Sequence, residues 1–465
     1  MVDDVVVSEL RAGLPDGAVV NEPDLVASYA RDMAMFAPSE QPRCVAFARS
    51  TADVRHVMRV AARHRVPVVP RGAGSGLAGA ANGVAGGITL VLTRMDAIVE
   101  IDPANRLAVV EPGVVNLDLR KALEPHGLFY PPDPSSYDWC TLGGNLSTNA
   151  GGLCCVKYGV TTDFVLGLEV VLASGEVLRT GRRTVKGVAG YDLSRLFVGA
   201  EGTLGVITQA TLALRPLPAA PVTLVATFGS TAAAGRAVQD VALAGVVPSL
   251  MELMDSTCIR AVDDWKQLGL DRDAQALLLC QSDSGGSHAV AEIERVAELC
   301  RKAGATEVHT TDDVEEGQLL LGARRLALPA LERYGATLID DVAVPRSAIA
   351  DLLDGTDRIS AECGVRIGVV GHAGDGNMHP TVVFDVTDED EKARAYDAFG
   401  RILELGLALG GTVTGEHGIG TLKVDWLARE IGPVGLRVHA AIKDALDPLG
   451  ILNPGKVFRA PPRVG

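Results

Sequence analysis

Along the first third of the chain, apolar positions alternate between the period of a strand and that of a helix. Residues 1 to about 40 read as short helices, with Glu22-Pro23-Asp24 ahead of Leu25-Val26 as a helix start. From Ala46 to Pro70 the order is strand, helix, strand. Thr51-Ala52-Asp53 supplies a cap, Val54 to Arg65 keeps one apolar face, and Val66-Pro67-Val68-Val69 is a short run closed by Pro70. Strand signals follow at Ile88–Leu92, Ala97–Ile101, Ala108–Pro112 and Leu166–Leu172, with a helical stretch at Asn116–His126. Leu212–Pro218 ends this block, and Pro216-Leu217-Pro218-Ala219-Ala220-Pro221 is the strongest linker signal. A second block, Val222 to about Thr412, has the helices Ala232–Ala244, Glu292–Ala303 and Glu391–Leu409 among strand-like runs, an α+β pattern. The tail from Glu416 carries a helix around Gly435–Leu446.

Composition narrows the classes. A chain of 465 residues exceeds one ordinary core, so two or three domains are expected. Apolar content of 47% with 4% aromatics and 52 glycines describes a turn-rich globular protein. A net charge of −15 without any basic run argues against nucleic acid as a partner. The eight cysteines form no C-x-x-C pair, and the adjacent Cys154-Cys155 read as small buried thiols. The start shows no basic-then-apolar leader, and no apolar run reaches transmembrane length. A cytoplasmic protein is expected, with peripheral attachment to a membrane allowed.

Two glycine-rich turns hold the densest chemistry. Gly371-His372-Ala373-Gly374-Asp375-Gly376-Asn377-Met378-His379-Pro380 places two imidazoles seven residues apart, and Thr414-Gly415-Glu416-His417-Gly418-Ile419-Gly420 adds a carboxylate and a third imidazole. His372, His379 and Glu416 form a ligand set suited to Zn²⁺ or Mn²⁺ with a position left for substrate. His417 beside them is a candidate base. The plainer reading makes these loop histidines that cap backbone groups, but three of the nine histidines fall in these two turns.

Gly74-Ser75-Gly76-Leu77-Ala78-Gly79 fits G-x-G-x-x-G after a strand, yet Ala80-Ala81-Asn82-Gly83-Val84 follows instead of a crossover helix. A loop whose backbone N–H groups cradle a pyrophosphate fits better. Two further glycine-dense segments, Pro131–Gly152 and Gly199–Thr208, offer N–H groups and small hydroxyls for a long cofactor lying extended.

The motifs PRGAGSGLAG, PPDPSS, LGGNLSTNAGG, KYGVTTDFVLGLEVVLASGE, GYDLSRLFVGAEGTLGVIT, GHAGDGNMHP, TGEHGIG and LNPGK resemble the FAD-linked oxidoreductases of the vanillyl-alcohol oxidase and p-cresol methylhydroxylase type, a resemblance that runs from about residue 20 to about residue 460. Within that superfamily they are similar to the D-2-hydroxyacid dehydrogenases: D-lactate dehydrogenase (cytochrome), the glycolate oxidase flavin subunit and D-2-hydroxyglutarate dehydrogenase. The resemblance implies an α+β fold, with a two-part FAD-binding domain and an α+β cap domain built on an antiparallel sheet. Expected boundaries are residues 1–37 for a helical segment, 38–217 for the FAD domain, 218–413 for the cap and 414–465 for a segment returning to the flavin.

It also implies a site. Arg71, Gly72, Ala73, Gly74, Ser75, Gly76 and Leu77 would hold the FAD pyrophosphate. Pro132, Asp133, Thr141, Gly143, Gly144, Ser147, Asn149, Gly151, Gly152, Tyr158 and Gly159 would line the cofactor, with Glu201, Gly202, Gly205 and Ile207 near its adenosine end. Asn453 would reach the flavin ring, and Ser75 in place of the histidine of covalent relatives implies dissociable FAD. His372, His379 and Glu416 match the metal ligands of metal-dependent members, His417 their active-site histidine and Asn377 a substrate contact. Arg325 falls at the substrate arginine, with Arg324 competing for the role.

Two departures bear on specificity. Gly322 stands where relatives often carry tryptophan, and Ile339 precedes Asp340-Asp341-Val342-Ala343-Val344-Pro345 where dicarboxylate-specific members carry lysine. A second substrate carboxylate would then lack a counter-charge. The expectation is metal-assisted, FAD-dependent oxidation of a D-lactate-like monocarboxylate, ahead of glycolate or D-2-hydroxyglutarate. Handedness rests on the resemblance. Electrons would pass to a cytochrome, quinone or electron-transfer protein, and a homodimer is allowed. A zinc hydrolase using the same ligands leaves the glycine-rich half unexplained and lacks H-E-x-x-H. An FAD-binding subunit without catalysis leaves His417 unexplained.

Overall fold

The computed structural model describes residues 4–459. The chain falls into two compact units. Among the described residues, the first comprises 4–151, Val160–Leu217 and 416–459; the second comprises Gly152–Gly159 and Pro218–Gly415. The chain thus leaves the first unit at the proline-rich linker and re-enters it at Glu416. The short excursion at Gly152–Gly159 has no herald in the sequence.

In the first unit, the strand–helix–strand reading becomes a four-stranded sheet in the order Val19–Val20, Cys44–Phe47, Ile88–Val91, Val68–Arg71. The last three strands run parallel, as a crossover helix requires. That helix spans Thr51–His64 and buries Val54, Val57, Met58, Val60 and Ala61. These positions follow the spacing of one helix face, and each side chain of Val or Met size contributes about 1.5–3 kcal/mol when buried. The capping hydroxyl is that of Ser50, which accepts from the Asp53 amide at 3.2 Å. Arg65 closes the helix in the left-handed conformation at φ 52°. No helix forms between Arg71 and Ile88, so the G-x-G-x-x-G stretch is an open loop.

A second, antiparallel sheet in this unit has the order Ile98–Asp102, Leu107–Val110, Val206–Ala213, Val165–Val171, Val177–Gly181. Leu142–Thr148, within the glycine-dense segment Pro131–Gly152, is a short helix. Its Asn149 C-cap adopts φ 53°, a conformation asparagine tolerates better than most residues.

The second unit is built on an antiparallel sheet of eight strands. Seven lie in the order Ala305–Thr311, Val222–Phe228, Ala276–Ser282, Leu250–Asp255, Arg366–His372, Asn377–Phe384, Ala336–Ile339, and Val342–Ala343 pairs beside Asn377–Phe384. The helices Thr231–Leu243, Gly286–Ala303 and Glu389–Ala408 answer to the three periodic runs seen in the sequence. Ser256–Lys266 and Ile349–Cys363 add two more. Buried Asp255 caps the former by accepting from the Cys258 amide, while its other oxygen accepts from Val369, both at 2.8 Å.

Cys154 and Cys155 are only half-buried, unlike the other six cysteines and unlike the expectation for them. Cys154 caps and Cys155 opens the short helix Cys155–Tyr158, none of whose residues is fully buried. No helix among the described residues is long and apolar enough to cross a membrane.

Candidate active site

The histidine-rich segment is a β-hairpin. Arg366–His372 and Asn377–Phe384 pair with His372 opposite Asn377 and Val370 opposite His379. Residues directly or diagonally opposed on an antiparallel pair share a face. The seven-residue spacing therefore brings the two imidazoles together, with ring centroids 5.2 Å apart at 84°. The tip needs glycine at Gly376: its φ is +90°, and a Cβ there would lie 2.1 Å from the Val344 carbonyl oxygen.

Register also supplies the partners. Glu252 on the neighbouring strand lies opposite His372. One carboxylate oxygen sits 2.7 Å from His372 Nδ1, and the other 2.8 Å from Arg324 Nη2. Glu252 is 1% exposed and Arg324 7%. Burial pushes the Glu252 pKa up, but the charges of His372 and Arg324 outweigh it and hold the carboxyl below its usual value. His379 Nδ1 lies 3.6 Å from Asp341, a fully buried carboxylate whose other oxygen accepts from the Thr414 hydroxyl at 2.7 Å. Asn377 is buried, and its Oδ1 has no hydrogen-bond partner. A Cβ at Gly415 would lie 2.3 Å from that atom. Thr414 and Gly415 are thereby packed against Asp341 and Asn377. Arg325, at the end of the helix Val314–Arg325, is exposed, whereas Arg324 is buried. In the Gly152–Gly159 excursion, Tyr158 donates to Asp283 at 2.6 Å, and Lys157 pairs with the same carboxylate.

Glu252 and Asp341 were not singled out in the sequence. Only the register of three strands brings Glu252 to His372, and nothing in local spacing signals that. Asp341 did stand in a quoted segment, directly before a two-residue strand.

The remaining candidates lie in the first unit. Arg71 ends its strand at 8% exposure, and residues 72–77 continue as open loop. A Cβ at Gly72 would lie 2.2 Å from the Thr141 hydroxyl, so only glycine lets these segments approach. That hydroxyl is buried without a hydrogen-bond partner. Pro132 and Asp133 lie buried ahead of it. Gly143, Gly144 and Ser147 sit on the Leu142–Thr148 helix, where the Ser147 hydroxyl donates to the Gly143 carbonyl at 2.7 Å. Asn149 Oδ1 accepts from the Thr162 amide at 2.8 Å. Gly205 and Ile207 serve the sheet: a Cβ at Gly205 would lie 2.4 Å from Val170, and Ile207 pairs with Val170. Asn453 Nδ2 donates to the carbonyls of Ala80 at 2.9 Å and Glu201 at 2.7 Å, while its Oδ1 is buried without a partner.

Charge collects around this loop. Burial pushes the Asp32 carboxyl up, that of Glu201 to about 7, and the Lys456 ammonium down to about 8. Glu416 and His417 open the C-terminal segment of this unit and offer ligand atoms within 4.8 Å of each other, as do Asp341 and His379 in the second unit. The glycine-rich loop, buried Arg71 and the unpartnered Thr141 and Asn453 oxygens fit a long polar anionic cofactor such as FAD.

Comparison with known proteins agrees. Residues 217–457 match the family "FAD linked oxidases, C-terminal domain", and residues 42–181 match "FAD binding domain". The chain is 43% identical to the glycolate oxidase subunit GlcD of Bacillus subtilis (strain 168), over 90% of this chain and 89% of that protein. It is 40% identical to GlcD of Escherichia coli (strain K12), over 97% and 90%. Identity to a D-lactate dehydrogenase of Anaerostipes hadrus is 34%, over 92% and 91%. The fold is that of p-cresol methylhydroxylase, with a TM-score of 0.82 over 97% of this chain and 96% of that one at 20% identity. The chain belongs to the FAD-linked oxidases, as an oxidoreductase of the family that holds the glycolate oxidase subunits and the D-lactate dehydrogenases.

Proposed function

We propose that this protein oxidises a D-2-hydroxyacid with one carboxylate, of the D-lactate type, to the 2-oxoacid, with His417 as base. The observation that carries the reading is the hairpin pairing of His372 and His379 on one face, beside Asp341 and Glu252. Within the second unit, the Thr414 hydroxyl donates to Asp341, and Gly415 packs closely against Asn377.

Non-covalent FAD would supply the two-electron acceptor, and a divalent ion, zinc or manganese on His372, His379 and Glu416, would supply Lewis acidity toward the substrate hydroxyl. The protein's own share is proton transfer and orientation. Oxidation takes a proton from the hydroxyl oxygen and a hydride from Cα, and His417 receives the proton. Glu252 at His372 Nδ1 favours the tautomer that leaves Nε2 free to ligate. Arg325 would clamp the carboxylate through two parallel N–H bonds, and Asn377 would hold the substrate. Arg71 to Leu77, with Thr141 and Asn453, would bind the cofactor. Ile339, in place of a cation, supports one carboxylate over two.

Glycolate is the second reading. The glycolate oxidase subunits share 43% and 40% identity with this chain, the D-lactate dehydrogenase 34%. Electrons would leave to a cytochrome, quinone or electron-transfer protein. The test is anaerobic bleaching of the flavin spectrum across D- and L-2-hydroxyacids, with and without prior chelation. D-lactate or glycolate should bleach it, and chelation should abolish this until zinc or manganese is restored. Preference for 2-hydroxyglutarate, or indifference to chelation, would contradict the reading.

A further inference from the structure

We propose that Glu201 is a positioning residue for the reaction, its carboxylate clamping the backbone of the turn that carries Glu416 and His417. The inference rests on the role proposed above for His417. One oxygen of Glu201 accepts from the Ile419 amide and the other from the Gly420 amide, both at 2.8 Å. Successive backbone N–H groups in such a turn form an anion-binding concavity, which phosphates commonly fill. Here the chain fills it with a side chain from 218 residues away.

The clamp is anchored at its other end. Glu201 is 5% exposed and adopts φ +51°, an uncommon conformation for a residue with a Cβ. Its amide donates to the Ser147 carbonyl at 2.8 Å, and its own carbonyl accepts from Asn453 Nδ2 at 2.7 Å. The turn is shaped to receive it: Gly418 has φ +86°, and a Cβ there would lie 2.8 Å from the Glu201 carboxylate. Two bonds to adjacent amides fix the direction of the turn as well as its place. His417 lies two residues before the first of those amides, so little backbone freedom separates the base from the clamp. The carboxylate therefore acts through the turn, and proton transfer depends on it because catalytic geometry tolerates little misplacement.

The test uses full-length, FAD-loaded protein. Glu201→Gln keeps the shape, retains one acceptor and turns an amino group on the other N–H; Glu201→Ala removes both bonds. FAD affinity, KM for the hydroxyacid and the rate of flavin reduction at saturating substrate are measured for each. Per bound flavin and at saturating substrate, the reduction rate should fall about 10-fold in the Gln variant and about 100-fold in the Ala variant. Hydrogen exchange at the Ile419 and Gly420 amides should quicken in both. Should Glu201→Ala not fold, Glu201→Gln carries the test alone. A Gln variant with wild-type reduction per bound flavin overturns the proposal, whether its loss appears in FAD affinity or only in melting temperature. Wild-type flavin that no hydroxyacid reduces overturns the role of His417, and the clamp's purpose with it.

Discussion

Arg324 and Glu252 form a buried ion pair across the second unit, with Nη2 2.8 Å from Oε2 and both residues under 10% exposed. It is a contact of charges more than a well-directed hydrogen bond, since Glu252 Oε2 and Arg324 Nε lack hydrogen-bond partners. Removing one member leaves the other as an uncompensated buried charge. Arg324→Met should destabilise the second unit by about 3–5 kcal/mol. Pairing it with Glu252→Gln should recover much of that loss. Chemical unfolding of the two variants checks this, and equal loss in both would show that the pair is not the source.

The buried position of Arg324 leaves Arg325 as the exposed guanidinium of that helix end. A lysine offers a point charge where a guanidinium offers a planar fork. Arg325→Lys should lower kcat/KM for the hydroxyacid about 10- to 100-fold, in proportion to one charged hydrogen bond, with FAD affinity unchanged. Steady-state kinetics decides it. An unaffected variant would remove Arg325 from the substrate site.

Asp255 gives a pH signature. Burial raises its carboxyl from 3.8 to about 6, against the opposing hydrogen bonds from Cys258 and Val369. A raised acid stabilises the fold in its protonated form. That contribution is fully present below 3.8 and is lost as pH rises through about 6. Asp255→Asn does not titrate. The stability of wild type relative to this variant should therefore decline by about 2 kcal/mol between pH 4.5 and 7. Melting temperatures across that range test it, and a constant difference would contradict it.

Most secondary elements were legible because their apolar faces repeat. Val54–Arg65 and Glu391–Leu409 announced helices found at Thr51–His64 and Glu389–Ala408. Ser256–Lys266 was not foreseen, although Asp255-Ser256-Thr257 ends the strand-like run with a helix cap, Asp255 accepting from the Cys258 amide. Leu142–Thr148 was hidden by its glycines. Two glycines at its start disfavour a helix locally, and a Cβ at Gly143 would lie 2.5 Å from Pro112, so packing selects the glycine there. In the candidate site, the chemistry of His372, His379, Glu416 and His417 could be read from residue type. Glu252 could not, because strand register alone brings it to His372. Likewise, nothing in GAEGTLG or TGEHGIG shows that Glu201 binds the amides of Ile419 and Gly420.

The central claim is that His417 takes the hydroxyl proton of a 2-hydroxyacid as the flavin is reduced. Its most direct test mixes D-lactate or glycolate anaerobically with FAD-loaded wild type and His417→Ala, and follows flavin absorbance. The account predicts that both variants hold FAD equally, that wild type bleaches, and that His417→Ala bleaches about 100- to 10,000-fold more slowly. Equal bleaching of the two proteins would contradict it.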